Sequence, residues 1–140
     1  MSQELTAAES RSIVAAVLER AATMGTTMTV AVVDAGGYLV ALQRMDGARI
    51  IGPDIAIAKA FTAAAFRTPS GDVAARLGDA PHLVQSVRDM TQGRFMPHPG
   101  GIPILRDGQL IGAVGVGGGS ADQDVEVARG AISDAGLTPG

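Results

Sequence analysis

Apolar side chains recur at helical spacing early in the chain. Ile13, Val14, Val17, Leu18 and Ala21 fall on one face of a helix. Thr6-Ala7-Ala8-Glu9 precedes them as a capping box, in which a hydroxyl and a carboxylate each satisfy a free N–H of the first turn. Gly25 supplies the left-handed residue that closes such a helix. The pattern predicts an amphipathic helix over residues 6–24. The period then changes. Met28 to Val33 is a continuous, mostly β-branched run, Asp34-Ala35-Gly36-Gly37 is a turn by composition, and Tyr38 to Met45 reads as the returning strand of a hairpin.

Pro53 suits the first turn of a second helix, carried by the alanine-rich run Ile55 to Phe66 and broken by Pro69. Ser70 to Gly78 reads as one or two helical turns, and Pro81 opens a short helix ending near Gly93. Phe95 to Pro103 contains three prolines and so lacks three backbone donors; it reads as an extended segment, at best an edge strand. Ile104-Leu105-Arg106, the turn Asp107-Gly108, and Gln109 to Val116 form the clearest hairpin. Behind Gly117-Gly118-Gly119, Ser120 and Gln123 make a second capping box. Val125, Ala128, Ile132 and Ala135 mark the expected buried stripe of the last helix, which Gly136 ends. The expected order is α-β-β-α-α-α-β-β-β-α, with hairpins making the sheet mainly antiparallel.

A length of 140 residues is one domain's worth of chain, and no repeat or linker divides it. The absence of cysteine excludes disulfides, thiolate metal sites and a cysteine nucleophile. A formal charge of −3 and only four aromatic residues argue against nucleic-acid binding. No apolar run is long enough to cross a membrane, and the first ten residues lack the basic and apolar regions of a signal peptide; a cytoplasmic protein is expected. The 19 glycines and abundant alanine imply close packing around a thin core. Such a chain gains from a partner surface, so a homo-oligomer is expected.

Few residues can carry chemistry. The glycine run fails the dinucleotide spacing, because after Gly115 and Gly117 the third glycine would fall on Ser120, and no βαβ unit surrounds it. What it offers is a helix N-terminus with free N–H groups at Gly117 and Gly118, suited to a carboxylate or phosphate, or else simply room for a helix to pack on the sheet. Arg44 and Asp46 share one side of a strand end; they form either a surface ion pair or a carboxylate clamp with Arg44 as its cation. Lys59 is the sole lysine. Set among alanines, it is either a desolvated base or anion binder, or a snorkelling surface group. His82 and His98 have no metal-ligand spacing. His98, between two prolines, suits an axial haem ligand or a general base as well as it suits an exposed loop.

Several stretches together are similar to the GlcG/HbpS-like proteins: Val32-Val33-Asp34-Ala35-Gly36-Gly37, Arg44-Met45-Asp46-Gly47-Ala48, Ile55 through Ala63 around Lys59, Pro99-Gly100-Gly101-Ile102-Pro103, and Ile111 to Val116 with the glycines and Gln123-Asp124 behind. This family, often called the haem-degrading domain family, includes the C-terminal domain of PduO-type corrinoid adenosyltransferases. The resemblance covers nearly the whole chain. It implies an α/β (α+β) profilin-like sandwich with a mainly antiparallel five-stranded sheet, a homo-oligomer, and in some members haem or corrinoid binding. Two positions depart from the pattern: Tyr38 stands where members often carry histidine, and Gly117 stands where serine is usual.

Three readings follow. In the first, the protein binds haem, with iron met by His98, Tyr38 or a methionine and propionates met by Arg44, Arg94 or Lys59. In the second, it is a cofactor-independent enzyme of organic-acid or aromatic-metabolite catabolism. There Lys59 and Arg44 serve as base and anion clamp beside Asp46, and Gly117 to Gly119 hold a second anionic group. In the third, the glycine and alanine surfaces and the Arg44–Asp46 pair serve assembly alone. The first ranks highest, and each would take a small-molecule ligand or a second copy as its partner.

Overall fold

Both capping boxes form. Thr6 accepts from the Glu9 N–H while Glu9 reaches back to the Thr6 N–H, and Ser120 and Gln123 repeat the arrangement. The structure, a computed structural model, describes residues 4–140. Its helices are α1 (Ala7–Met24), α2 (Gly52–Phe66), α3 (Ser70–Leu77), α4 (Pro81–Met90) and α5 (Ala121–Asp134). Its strands are β1 (Thr29–Asp34), β2 (Leu39–Arg44), β3 (Gly101–Arg106), β4 (Gln109–Gly117) and β5 (Thr138–Pro139). The strands form one antiparallel sheet in the order β2-β1-β4-β3-β5, which is the profilin-like α/β sandwich expected.

Both hairpin turns follow from their sequences. Asp34 Oδ1 accepts from the Gly36 and Tyr38 N–H groups, and Gly37 takes a φ of 86°. Asp107 and Gly108 both have positive φ, as a two-residue hairpin turn requires.

Two expectations need correction. The proline-rich segment does not stop at the sheet's edge. Gly101 to Arg106 is a single strand flanked by β4 and β5, and the fifth strand follows the last helix instead of preceding it. Pro103 is tolerated there because of register. Val116 N–H donates to Gly100 O at 2.9 Å, so residues 102 and 104 direct their N–H groups at β4 while the Pro103 nitrogen points away. The buried stripe of α5 is also broader than expected. Asp124, Val127, Ala128, Ala131 and Ile132 are buried, whereas Val125 and Ala135 are only partly covered, because α5 packs on α1 as well as on the sheet.

The sheet has two unlike faces. Val30, Val32, Ile102, Ile104, Val114 and Val116 point towards α1 and α5 and form the main core with Ile13, Val17 and Ile132. The opposite face carries Ala31, Val33 and Ala113 against Ala56, Ala60, Ala63 and Ala64 of α2. Helix α4 buries none of its residues.

Candidate functional site

The site begins with how closely α2 approaches the sheet. A Cβ on Gly115 would collide with the Ala56 carbonyl oxygen, and one on Gly101 would collide with that of Lys59. The helix backbone thus rests directly on β3 and β4, which only glycine allows. That approach sinks Lys59, whose side chain is 3% exposed. Its Nζ donates to Val116 O at 3.0 Å and to Asp124 Oδ2 at 3.2 Å. Asp124, in the first turn of α5, accepts from the Gly119 N–H through its other oxygen at 2.9 Å. Burial pushes the Asp124 carboxyl above its ordinary value, against the opposing pull of the Lys59 charge and the Gly119 N–H. One ion pair therefore ties together α2, the end of β4 and the start of α5. The alternative of a snorkelling surface lysine is excluded.

The segment after α4 is positioned by two hydroxyls. Thr62 on α2 accepts from the Met96 N–H at 2.8 Å, and Ser70 on α3 donates to His98 O and accepts from the Gly101 N–H. Both hydroxyl residues are buried, which turns a run of prolines into a fixed loop. Met96 and His98 then line a cleft of about 180 Å³ with Lys59, Asp124, Arg49 and Gly117 to Gly119; Ile55, Thr29, Ala48 and Gly52 complete it.

Of the residues singled out by sequence, the cleft gathers Lys59, His98, Gly117 and Gly118. Arg44 and Asp46 lie elsewhere, beside Leu18 of α1. Among the described residues no ion pair joins them. Tyr38 stands at the tip of the first hairpin, 71% exposed. The Arg94 guanidinium stacks over the Phe61 ring, 4.2 Å from its centroid, in a hollow with Asp54 and Ile57 on the outer side of α2. The helix N-terminus also differs from the free one expected. Gly119 N–H is taken by Asp124, and Ser120 N–H by Gln123. The protein's own side chains already cap it.

Arg49 and Asp124 were missed by sequence reasoning. Arg49 reaches the cleft because the chain turns twice beyond β2, with Ala48 N–H donating to Met45 O and Gly52 N–H to Arg49 O. Nothing in the local pattern distinguishes Arg49 from Arg44. Asp124 had one available signal. A carboxylate at the fourth position of a helix, between Gln123 and Val125, sits next to the predicted buried stripe and needs a cationic partner if buried.

The dimensions limit what the cleft can enclose. An apolar cavity of about 150 Å³ takes a benzene ring. A cleft of about 180 Å³ takes a ring of that size or the acidic side arm of something larger, not a whole macrocycle. For haem the donor set fits, since His98 offers an imidazole, Met96 a thioether, and Lys59 and Arg49 positive charge. Enclosure by one copy does not fit. Among the described residues no three His, Cys, Asp or Glu side chains form a metal cluster, and no helix is long and apolar enough to cross a membrane.

Comparison with known proteins agrees with the fold. Residues 5–133 match the family described as haem degrading protein HbpS-like. GlcG of Escherichia coli is 36% identical over 118 residues, which is 83% of this chain and 80% of GlcG. Corrinoid adenosyltransferase PduO of Salmonella typhimurium is 34% identical over 125 residues, 84% of this chain; the match spans only 35% of that longer protein. A solved complex of PduOC with haem superposes with a TM-score of 0.85 at 30% identity, covering 96% of each chain.

Proposed function

This chain belongs to the HbpS-like family, and on that premise we propose that it binds haem at the cleft between α2, the 96–101 loop and the β4–α5 connection. The observation that carries the reading is convergence. His98 and Met96 of one loop, Lys59 of α2 and Arg49 of the turn beyond β2 come from three separate segments and line one cleft. The likeness to the PduOC–haem complex supports it. His98 would ligate iron, as an imidazole on a loop pinned by Ser70 can. Lys59 and Arg49 would receive a propionate, and the glycines leave space for it. Haem would supply iron-centred redox and ligand exchange; the chain's own residues bind the acid group and hold the imidazole in place.

Exposed apolar residues flank the cleft. Ile50 is 87% exposed and Ile51 52%, directly between the cleft residues Arg49 and Gly52. On the edge strand β2, Leu39, Val40 and Leu42 are exposed as well. Such a rim would carry the macrocycle and, in a homo-oligomer, be covered by a second copy. The test is a hemin titration followed by absorption, with wild type, His98→Ala, Arg49→Ala and Tyr38→Phe in parallel. A saturable Soret band at one haem per chain is expected, with its position changed by His98→Ala, its affinity reduced by Arg49→Ala, and neither altered by Tyr38→Phe. A Soret band unaltered in every variant would count against this site.

A further inference from the structure

The floor of the cleft has binding capacity of its own, whether or not a tetrapyrrole lies across its mouth. An ammonium has three N–H donors. Lys59 uses two, on Val116 O and Asp124 Oδ2, and among the described residues the third has no partner. The space around it is kept clear by glycines. A Cβ on Gly100 would lie 2.9 Å from Nζ, and one on Gly117 would lie 3.7 Å away. The Arg49 guanidinium also lines the cleft, and it forms no hydrogen bond or ion pair among the described residues. Ile55, Met96 and Ala48 give the cleft an apolar wall.

Charge bookkeeping selects the ligand. Lys59 and Asp124 balance one another, leaving the single positive charge of Arg49 uncompensated. A monoanion matches that excess. A dianion such as phosphate would meet the Asp124 carboxylate already on the floor, and like charges at short range oppose it. A planar carboxylate also suits the bidentate fork of arginine. The volume of about 180 Å³ allows an apolar body the size of one six-membered ring.

We infer that the cleft is a site for a small monocarboxylic acid with a compact apolar body, its carboxylate held between Lys59 Nζ and the Arg49 guanidinium. The site does not depend on haem binding. Asp124 is a positioning residue within it, keeping the ammonium fixed below the ligand through its bonds to Lys59 and Gly119.

Isothermal titration calorimetry with benzoate tests the inference, with benzamide as the uncharged isostere and inorganic phosphate as the dianion. Lys59 variants risk the fold, so two gentler changes carry the test. Arg49→Ala removes an exposed side chain. Gly117→Ala places a methyl group in the cleft at ordinary contact distance from Ile55 and Lys59. One benzoate per chain is expected, weakened at least tenfold by Arg49→Ala and abolished by Gly117→Ala, with Arg44→Ala unchanged and benzamide silent. Absence of benzoate binding, equal binding of benzamide or phosphate, or benzoate binding indifferent to both cleft variants would each overturn the site. Hemin binding without benzoate binding would overturn it and leave the haem reading intact; benzoate binding without hemin binding would do the reverse.

Discussion

The two faces of the sheet use opposite packing strategies. Towards α1 and α5, isoleucine, valine and methionine side chains fill a thick layer. Towards α2, alanines meet alanines, and Gly101 and Gly115 let the helix backbone touch the strands. The thick face buries far more apolar surface per residue and so supplies most of the hydrophobic stabilisation. The thin face gains little from burial, but its closeness forces a lysine into the interior and fixes where the charge sits. Stability and site construction are thus divided between the faces.

The strongest way to break this division is to remove the charge that the thin face buries. Lys59→Met should destabilise by about 3–5 kcal/mol, because Asp124 is left buried without its cation. Chemical denaturation measures this, and the double variant Lys59→Met/Asp124→Leu should recover most of the loss. A double variant as unstable as the single one would mean that the pair is not the cause. The pH dependence sharpens the point. Burial raises Asp124, so the folded state binds its proton more tightly than the unfolded chain does, and stability falls as pH rises through the window above 3.8. Removing Lys59 deletes one of the influences that lower this carboxyl, so the deficit of Lys59→Met should be smaller at pH 5 than at pH 8.

On the thick face Ile132→Ala should cost about 2–5 kcal/mol, the usual range for a fully buried residue truncated in a dense core. A urea midpoint equal to that of wild type would contradict the assignment of the main core. On the thin face the damaging change runs in the other direction, towards more bulk. Gly115→Ala should cost about 1–3 kcal/mol or somewhat more, since the added methyl meets helix backbone and not a movable side chain. It should also shift the Lys59–Asp124 pair and weaken benzoate binding, whereas Ile132→Ala should lower stability and leave that binding intact.

Smaller effects lie at the margins of the main core. Ser120→Ala removes one half of a capping box and should cost about 1 kcal/mol, read from the thermal midpoint. The Arg106 guanidinium beside Glu9 holds its carboxyl down at about 2, from an ordinary 4.5. The folded state therefore has this contribution in full above about pH 4.5 and loses it as pH falls towards 2. Glu9→Gln should flatten the acid limb of the stability curve over that interval; an unchanged limb would show that the ion pair contributes nothing measurable.

Much of the fold was legible because local chemistry decided it. The capping boxes at Thr6 and Ser120, the glycine stop at Gly25, and the Asp34–Gly37 and Asp107-Gly108 turns require no distant partner, and they place helices and hairpins in nearly their observed positions. The proline-rich strand was misjudged because whether Pro103 is tolerated depends on the side its nitrogen faces, a property of register and not of composition. The short final strand depends on pairing with Ile104 and Leu105, far away in sequence.

The site divides in the same way. The sequence by itself marked Lys59 as unusual, His98 as held on a rigid loop, and Gly117 to Gly119 as room near a helix start. It could not choose between Arg44 and Arg49, because two turns beyond β2 carry one to the cleft and leave the other beside α1. Nor could it pair Lys59 with Asp124, which lie 65 positions apart. Only the packed structure brings them together: alanine and glycine let α2 sink onto the sheet, and a lysine sunk that far must find its counter-ion on the next element.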